Sequence, residues 1–318
     1  MTSVLTSTTA RLDRVRRHGA VRAGVSTGIR GLSAPDTDGR WQGLDVDTAR
    51  AVAAAVLGDA NAVEFVPLTP DQRMPALAGD DIDLLTCNAT WTVSREAGFG
   101  ATFVATTCYD GGAFLVPRAA GVTAAAQLAG RRIGVLGGTS SAASLARYYA
   151  PLGAEVEVVP YPDAADALVG YRDGAVDAYV CDGVVLAAEK TRLPDPDAHV
   201  VLPELISREP MGPAVADGDS HWLKTVRWII FALIAAEEEG LTSATVGQGA
   251  ASSLLDAQAS LGDTLGLPQT WIGDAVGQVG NYGEVYDRSF GAASGLDVPR
   301  GLNDLWTRGG LMYAPPFA

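Results

Sequence analysis

The strongest constraint on the fold of this chain is an alternation that runs through its first two thirds. Short runs rich in β-branched and apolar residues are separated by stretches with helical periodicity. The strand candidates are residues 21–25, 63–66, 82–85, 132–136, 155–159 and 177–181, and the helix candidates 45–57, 140–149, 164–171 and 184–190 lie between them. This order predicts an α/β fold in which helices cover mainly parallel strands. In such folds ligands sit at the loops that leave the carboxyl ends of the strands.

Two further apolar β-like segments, 113–116 and 212–215, bracket one complete α/β set and read as the two crossings of a hinge. Residues 1–112 plus 217–318 then form one discontinuous lobe, and residues 113–216 the other, hinge strands included. Two sequential domains are the alternative, but the C-terminal third reads as mostly helical and lacks the strands for a sheet of its own. At 318 residues two compact lobes are also what chain length favours.

Composition matters where it limits partners. A net charge of -14 with only 23 Lys plus Arg disfavours phosphate backbones and anionic membrane surfaces, so no nucleic-acid partner is expected. The most apolar stretch, 228–236, runs into Glu237, Glu238 and Glu239 and is too short to span a bilayer; it reads as a core helix. The first 28 residues carry Arg11, Arg14, Arg16 and Arg17 and no apolar run of secretory length. They predict a cytoplasmic address, or an extracytoplasmic one if a leader has been removed. Cys87, Cys108 and Cys181 are odd in number and widely spaced, without a CxxC pair, so neither a zinc site nor a disulfide framework is indicated, although one bridge plus one free thiol stays open. No metal and no cofactor are expected. The tail RGLNDLWTRGGLMYAPPFA is rich in aromatics, Gly and Pro and is expected to pack on the body.

Three strand-end positions carry candidate binding groups. Arg95 closes the run NATWTVSR (88–95) after the strand near Leu85, and its guanidinium suits a carboxylate, with the Thr92 hydroxyl beside it. Taken alone, such an arginine is more often a surface ion-pair partner. The turn GGTSS (137–141) lies between a strand and a helix, where backbone N–H groups and the helix dipole favour an anion, with Thr139 and Ser140 as candidates; an ordinary turn capped by either hydroxyl is the other reading. It is neither a Walker A loop nor a GxGxxG fingerprint. Asp182 follows the strand 177–181 and precedes a helix, a position that suits an N-cap or an ammonium partner. An α-amino acid needs an anion fork facing a fixed carboxylate, and Arg95, Thr139 and Asp182 together supply both.

With these residues in place, the chain resembles the periplasmic binding proteins of polar and general L-amino-acid ABC transporters, bacterial solute-binding proteins of family 3. The segments GLDVD (43–47), NATWTVSR, YDGGAFLVP (109–117), GGTSS, DAYVCD (177–182), EPMGPAV (209–215), NYGEVYDR (281–288) and RGLNDLW (300–306) follow that family's landmarks in order. The resemblance implies a two-lobed, periplasmic-binding-protein-like fold of type II that closes by a hinge on a ligand in the cleft. It also implies that Arg95 with Thr92, and Thr139 with Ser140, clasp the ligand carboxylate. Asp182 holds its amine, with the Thr90 carbonyl as a further amine partner. Such receptors are generally monomers, and an ABC permease is the partner if the protein is exported.

The departures from the family pattern gather where the ligand side chain is expected. Leu136 precedes the carboxylate turn, Cys181-Asp-Gly183 stands in place of Thr-Asp-Gln, and Cys87 stands where a basic residue is common. Ser26 and the residues to 30 occupy a loop that often carries an aromatic wall, and Gly112 and Ala113 depart near the hinge. Ser26, Leu136 and Cys181 are therefore the side-chain pocket candidates. Some relatives of this fold have become cofactor-free enzymes, such as the cyclohexadienyl dehydratases. A cytosolic lyase or dehydratase acting on an amino-acid-like substrate is accordingly the alternative to capture of a free L-amino acid or close analogue, with Cys181 and Asp182 as catalytic candidates. A cytosolic sensor is a third reading. His18, His199 and His221 lie outside the strand-end loops and are expected at the surface, and the cysteines are expected to be buried small hydrophobes rather than nucleophiles.

Overall fold

The computed structural model describes residues 10–137, 139–249 and 251–317; the N-terminal nine residues and Gly138 of the 137–141 turn lie outside them. In chain order the first elements are α1 (Ala10–His18), β1 (Val21–Ser26), β2 (Ala34–Pro35), β3 (Trp41–Gln42), α2 (Leu44–Leu57) and β4 (Val63–Leu68). Then come α3 (Arg73–Ala78), β5 (Leu84–Leu85), α4 (Val93–Gly98), β6 (Ala101–Phe103), β7 (Cys108–Asp110) and β8 (Gly112–Pro117). The middle continues with β9 (Arg132–Leu136), α5 (Ser141–Tyr149), β10 (Glu157–Tyr161), α6 (Ala164–Arg172), β11 (Ala178–Asp182), α7 (Gly183–Lys190) and β12 (His199–Val201). The last part holds β13 (Glu209–Met211), β14 (Ala214–Ala216), α8 (Ser220–Glu238), α9 (Ser253–Leu265), α10 (Trp271–Val279) and α11 (Tyr282–Phe290).

The chain divides into two compact units. One runs to Cys108 and resumes at Met211, and the other is Tyr109–Pro210. The sheet of the first has the order β4-β1-β5-β14-β6, with β1 parallel to both β4 and β5 and β14 antiparallel to β5 and β6. Five of the six residues of β1 are buried, as suits a strand covered on both faces. Helix α2 owes its close packing to its alanines, since Ala49 and the run Ala53, Ala54, Ala55 are buried without any bulky side chain. Gly58, at φ 77°, stops it in the left-handed region, and its N–H returns to Ala54 O.

The sheet of the second unit has the order β10-β9-β11-β8-β12, with β9 parallel to β10 and β11, and β8 antiparallel to β11 and β12. Alternate residues of β8 feed its two cores. Phe114 and Val116 pack with Ile133, Val135, Leu145 and Tyr149, while Ala113 and Leu115 pack with Leu168, Tyr171, Tyr179 and Leu186. This explains where the hinge segments fall. Residues 113–116 are apolar throughout because both faces of β8 are buried inside the second unit. The chain crosses earlier, at β7 and β13, two short strands that pair with each other. The unit boundaries accordingly lie at 108/109 and 210/211, ahead of the 112/113 and 216/217 boundaries expected from apolar runs. Among the described residues no helix is long and apolar enough to cross a membrane.

Candidate functional site

In the first unit, the strand-end group is built on the segment that follows β5. Thr92 adopts extended backbone as the N-cap of α4, and its Oγ1 accepts the Arg95 N–H at 3.3 Å. The Arg95 side chain turns back along the same segment, and its Nη1 donates to Thr90 O at 2.7 Å. Thr90 is buried and forms a bridge with Met211. Trp91 pins the turn from the other side, its ring stacked on Phe103 with centroids 5.6 Å apart and its Nε1 donating to Glu96 at 2.9 Å. The guanidinium is thus aimed by local hydrogen bonds. The Thr90 carbonyl already accepts from Arg95 and keeps a second lone pair for any further donor.

Ser26 is 1% exposed; its N–H donates to Ser33 Oγ at 3.0 Å and its hydroxyl pairs with the same atom at 2.5 Å. A ligand contact through that hydroxyl would first have to break the serine pair. Cys87 is fully buried, and burial pushes its thiol up to about 11 despite the opposing influence of Arg73. Nearby, Arg73 donates to Asn88 Oδ1 at 3.2 Å.

In the second unit, the turn after β9 is held by its own hydroxyl. Thr139 Oγ1 donates to Leu136 O at 2.7 Å and accepts the Ser141 N–H at 3.3 Å, so Thr139 does the work of a cap at the start of α5. Ser140, the positional N-cap, makes no capping bond, and its hydroxyl donates instead to Glu209 Oε1 at 3.4 Å. Leu136 is half-buried at the end of β9.

Asp182 ends β11 and occupies the N-cap position of α7, yet its side chain makes no capping hydrogen bond. That role falls to Asp110, whose Oδ2 accepts the Val184 N–H at 2.9 Å. Burial is the largest influence on Asp110 and the Glu209 charge adds to it; against the N–H groups of Val184, Gly111 and Gly183 they push its carboxyl up to about 6. Sequence reasoning missed Asp110, because nothing in its spacing links it to a helix that begins far along the chain. Cys181 is half-buried, and burial followed by the Asp182 charge raises its thiol well above the ordinary value, so at neutral pH it is held as the thiol. None of the three cysteines is in a disulfide.

The histidines have structural partners: His18 Nε2 pairs with Glu64 at 3.0 Å, His199 Nδ1 with the Tyr171 hydroxyl at 2.6 Å, and His221 Nε2 with Leu265 O at 2.9 Å. Among the described residues no cluster of three or more His, Cys, Asp or Glu is placed to hold a metal ion. The structure therefore brings Thr90, Thr92 and Arg95 together in the first unit. In the second, Leu136, Thr139 and Ser140 share one turn, and Cys181 and Asp182 share the end of a neighbouring strand.

Residues 21–240 match the model of bacterial extracellular solute-binding proteins, family 3. The chain is 42% identical over 313 residues to the glutamate/glutamine/aspartate/asparagine-binding protein BztA of Rhodobacter capsulatus, covering 96% of this chain and 93% of that one. It is 40% identical over 313 residues to the general L-amino acid-binding periplasmic protein AapJ of Rhizobium johnstonii, covering 96% and 92%. A solved ABC transporter/periplasmic binding protein from Brucella ovis with glutathione bound superposes with a TM-score of 0.92 at 39% identity, over 96% of this chain and 99% of that one. The chain belongs to family 3 of the bacterial extracellular solute-binding proteins.

Proposed function

We propose that the protein captures a free L-α-amino acid, or a compound that presents the same α-amino-acid head, and releases it unchanged. Arg95 with the Thr92 hydroxyl, and the Thr139–Ser140 turn, take the carboxylate. Asp182 takes the ammonium, with the second lone pair of Thr90 O as a further acceptor. The observation that carries this reading is the paired preparation of the two charged groups: Arg95 is oriented by Thr90, and Asp182 stands at a helix start that another residue caps. A bidentate guanidinium–carboxylate pair and an ammonium–carboxylate pair are the strong, directional contacts that an amino-acid head offers.

The relatives support recognition of the head more than of any one side chain. They are named for acidic amino acids, their amides and L-amino acids in general, and the neighbour's glutathione carries a free α-ammonium and α-carboxylate on its glutamyl end. Leu136 and Cys181 are the side chains proposed to face the variable part of the ligand. An apolar leucine and a weakly polar thiol, neither carrying a charge that would select one ligand side chain, suit a permissive pocket. The protonated state of Cys181 favours capture over chemistry. A membrane permease of the ABC type is the proposed recipient of the ligand.

The experiment is a thermal-shift screen against the L-amino acids and glutathione, followed by calorimetric titration and mass spectrometry of each hit after incubation. The expected result is stabilisation by one or more of them, recovery of intact ligand, and loss of binding in Arg95→Ala. Stabilisation that survives Arg95→Ala unchanged would overturn the assignment of the carboxylate, and a chemically altered ligand would overturn capture.

A further inference from the structure

The crossing strand β7 carries a half-buried carboxylate that none of the binding roles above uses. Asp110 turns away from its own strand toward the start of α7, where its Oδ2 accepts the Val184 N–H at 2.9 Å while Oδ1 accepts the Gly111 N–H at 2.8 Å. The first N–H groups of any helix lack partners within it, and the residue at the N-cap normally supplies one from its own side chain. Here the N-cap is Asp182, among the residue types best suited to that task, and it makes no such bond. A residue 74 positions away makes it instead.

The fit of Asp110 depends on missing side chains. A Cβ on Gly183 would lie 2.9 Å from Asp110 Oδ1 and 3.8 Å from Ala113 Cβ. Asp182 is registered against Gly112, and Cys181 against Ala113, so no bulky neighbour crowds the last residues of β11. The Gly183 N–H is bonded to Gly111 O at 3.1 Å, which ties the turn down a second time. Gly112, Ala113, Cys181 and Gly183 are positions at which this chain departs from the pattern of the family it resembles, and of these Gly183 lies directly against the Asp110 carboxylate.

We infer that Asp110 is a positioning residue for recognition of the ligand ammonium: by capping α7 it relieves Asp182 of that role and fixes the turn from which the Asp182 carboxylate projects. This rests on the reading that Asp182 holds the ammonium. Without Asp110, the Val184 N–H is left without a partner, and the nearest group able to satisfy it is Asp182 itself. Asp182 then rotates to cap its own helix and leaves the ammonium. The helix survives and amino-acid selectivity does not, a signature that a purely structural role for Asp110 lacks.

The test compares each of L-glutamate, L-glutamine, L-aspartate and L-asparagine with its 2-hydroxy counterpart, which keeps the carboxylate and side chain and replaces the ammonium with a hydroxyl. Dissociation constants are measured calorimetrically for the wild type, Asp110→Ala, Asp110→Asn and Gly183→Ala. The wild type is expected to prefer the amino acid. In Asp110→Ala that preference is expected to fall by about tenfold or more, the size of one charge-assisted contact, with hydroxy-acid affinity little changed. Asp110→Asn keeps an acceptor for Val184 and is expected to restore most of the preference.

An unchanged preference in folded Asp110→Ala overturns the inference, as does an equal loss for amino and hydroxy acids. If Asp110→Ala does not fold, Gly183→Ala displaces the carboxylate without removing it, and the same two outcomes are read from it. A wild type that shows no preference for the ammonium overturns the reading of Asp182 itself, a failure the wild-type titrations separate from failure of Asp110 alone.

Discussion

Asp83 shows how a single buried charge organises the edge of the first unit. Its side chain is 1% exposed, and its carboxylate accepts the N–H of Arg22 at 3.0 Å, the Arg22 side chain through Nε and Nη2, each at 3.1 Å, and Arg14 Nε at 3.0 Å. Burial disfavours its ionisation, but Arg22 and Arg14 outweigh that cost and hold the carboxyl below its usual range. Replacing Asp83 by Ala would leave Arg22 without this carboxylate and Arg14 with Asp80 alone, and because both guanidinium groups reach solvent a loss of about 1.5–3 kcal/mol in unfolding free energy is expected from denaturant titration. The depressed value makes the contribution of Asp83 complete above the ordinary carboxylate range and lost only as pH falls through the folded value. Asp45 behaves in the opposite sense. It is fully buried near Arg73, its Oδ2 has no hydrogen-bond partner, and burial, opposed by Arg73, pushes its carboxyl up to about 8. Between the unfolded value near 3.8 and about 8 the folded protein holds a proton that the unfolded chain has released. Stability attributable to Asp45 should therefore fall as pH rises through that window, by at most about 1.4 kcal/mol per pH unit. Asp45→Asn has no proton to lose, so its unfolding free energy measured from pH 5 to 8 should show a shallower decline than the wild type. Neither behaviour was legible in the sequence, where Asp45 and Asp83 are two acidic residues among 37. Titration depends on which cations folding brings near.

At the scale of elements the sequence speaks more clearly, because periodicity is a local property. The strand 132–136 and the helices beginning at 45, 164 and 184 lie within a residue or two of their observed bounds. Each is a run whose apolar spacing matches one periodicity. The crossing strands escaped notice for the converse reason. β7 and β13 are three residues each and too short for any pattern, and a continuous apolar run such as 113–116 reports burial on two faces without saying which unit supplies them. The same limit applies to Asp110, whose capping of α7 is visible only once β7 is placed beside it. Gly212, immediately after β13, is a second feature of this kind. A Cβ there would lie 1.9 Å from Ala105 O, a backbone atom that cannot swing aside. Gly212→Ala must therefore push the chain off its path as it enters β14. A destabilisation of about 1–3 kcal/mol, the range of overpacked cores, is expected in thermal or denaturant unfolding. Gly112→Ala offers the contrast, since its Cβ would meet only the Ser207 and Ile206 side chains, at 3.2 Å and beyond.

For the molecule as a whole, the family model stops at residue 240 and the chain continues through three more helices. That C-terminal part is joined to the rest of the first unit by contacts its own sequence does not announce. Arg288 Nε donates to Asp47 at 2.7 Å, Gln278 receives the Ala60 N–H at 2.8 Å, and Phe317 sets its ring edge-on to Trp228 with centroids 5.0 Å apart. Arg300 lies over the rings of Tyr282 and Tyr286, at 5.2 and 5.0 Å, while bonding Glu237 at 3.0 Å. An aromatic, Gly- and Pro-rich tail made packing on the body foreseeable; its attachment points were not, since they belong to α8 and α11. Among these contacts the Tyr282 hydroxyl is placed differently, because it donates at 2.9 Å to Thr107 O, the residue just before β7, whose N–H donates in turn to Met211 O at 2.9 Å. The C-terminal part thereby braces the first crossing strand at its entrance. Tyr282→Phe keeps the ring and its packing but leaves a buried carbonyl without its donor, an expected cost of about 1–2 kcal/mol. If the hydroxyl steadies the crossing, the loss should be local as well as global: the Thr107 amide should exchange with solvent faster in Tyr282→Phe, by more than the change in overall stability dictates. Amides in β8, which lies within the second unit, should slow or quicken only as global unfolding does. Equal acceleration at both places would mean that Tyr282 contributes to stability without holding the crossing.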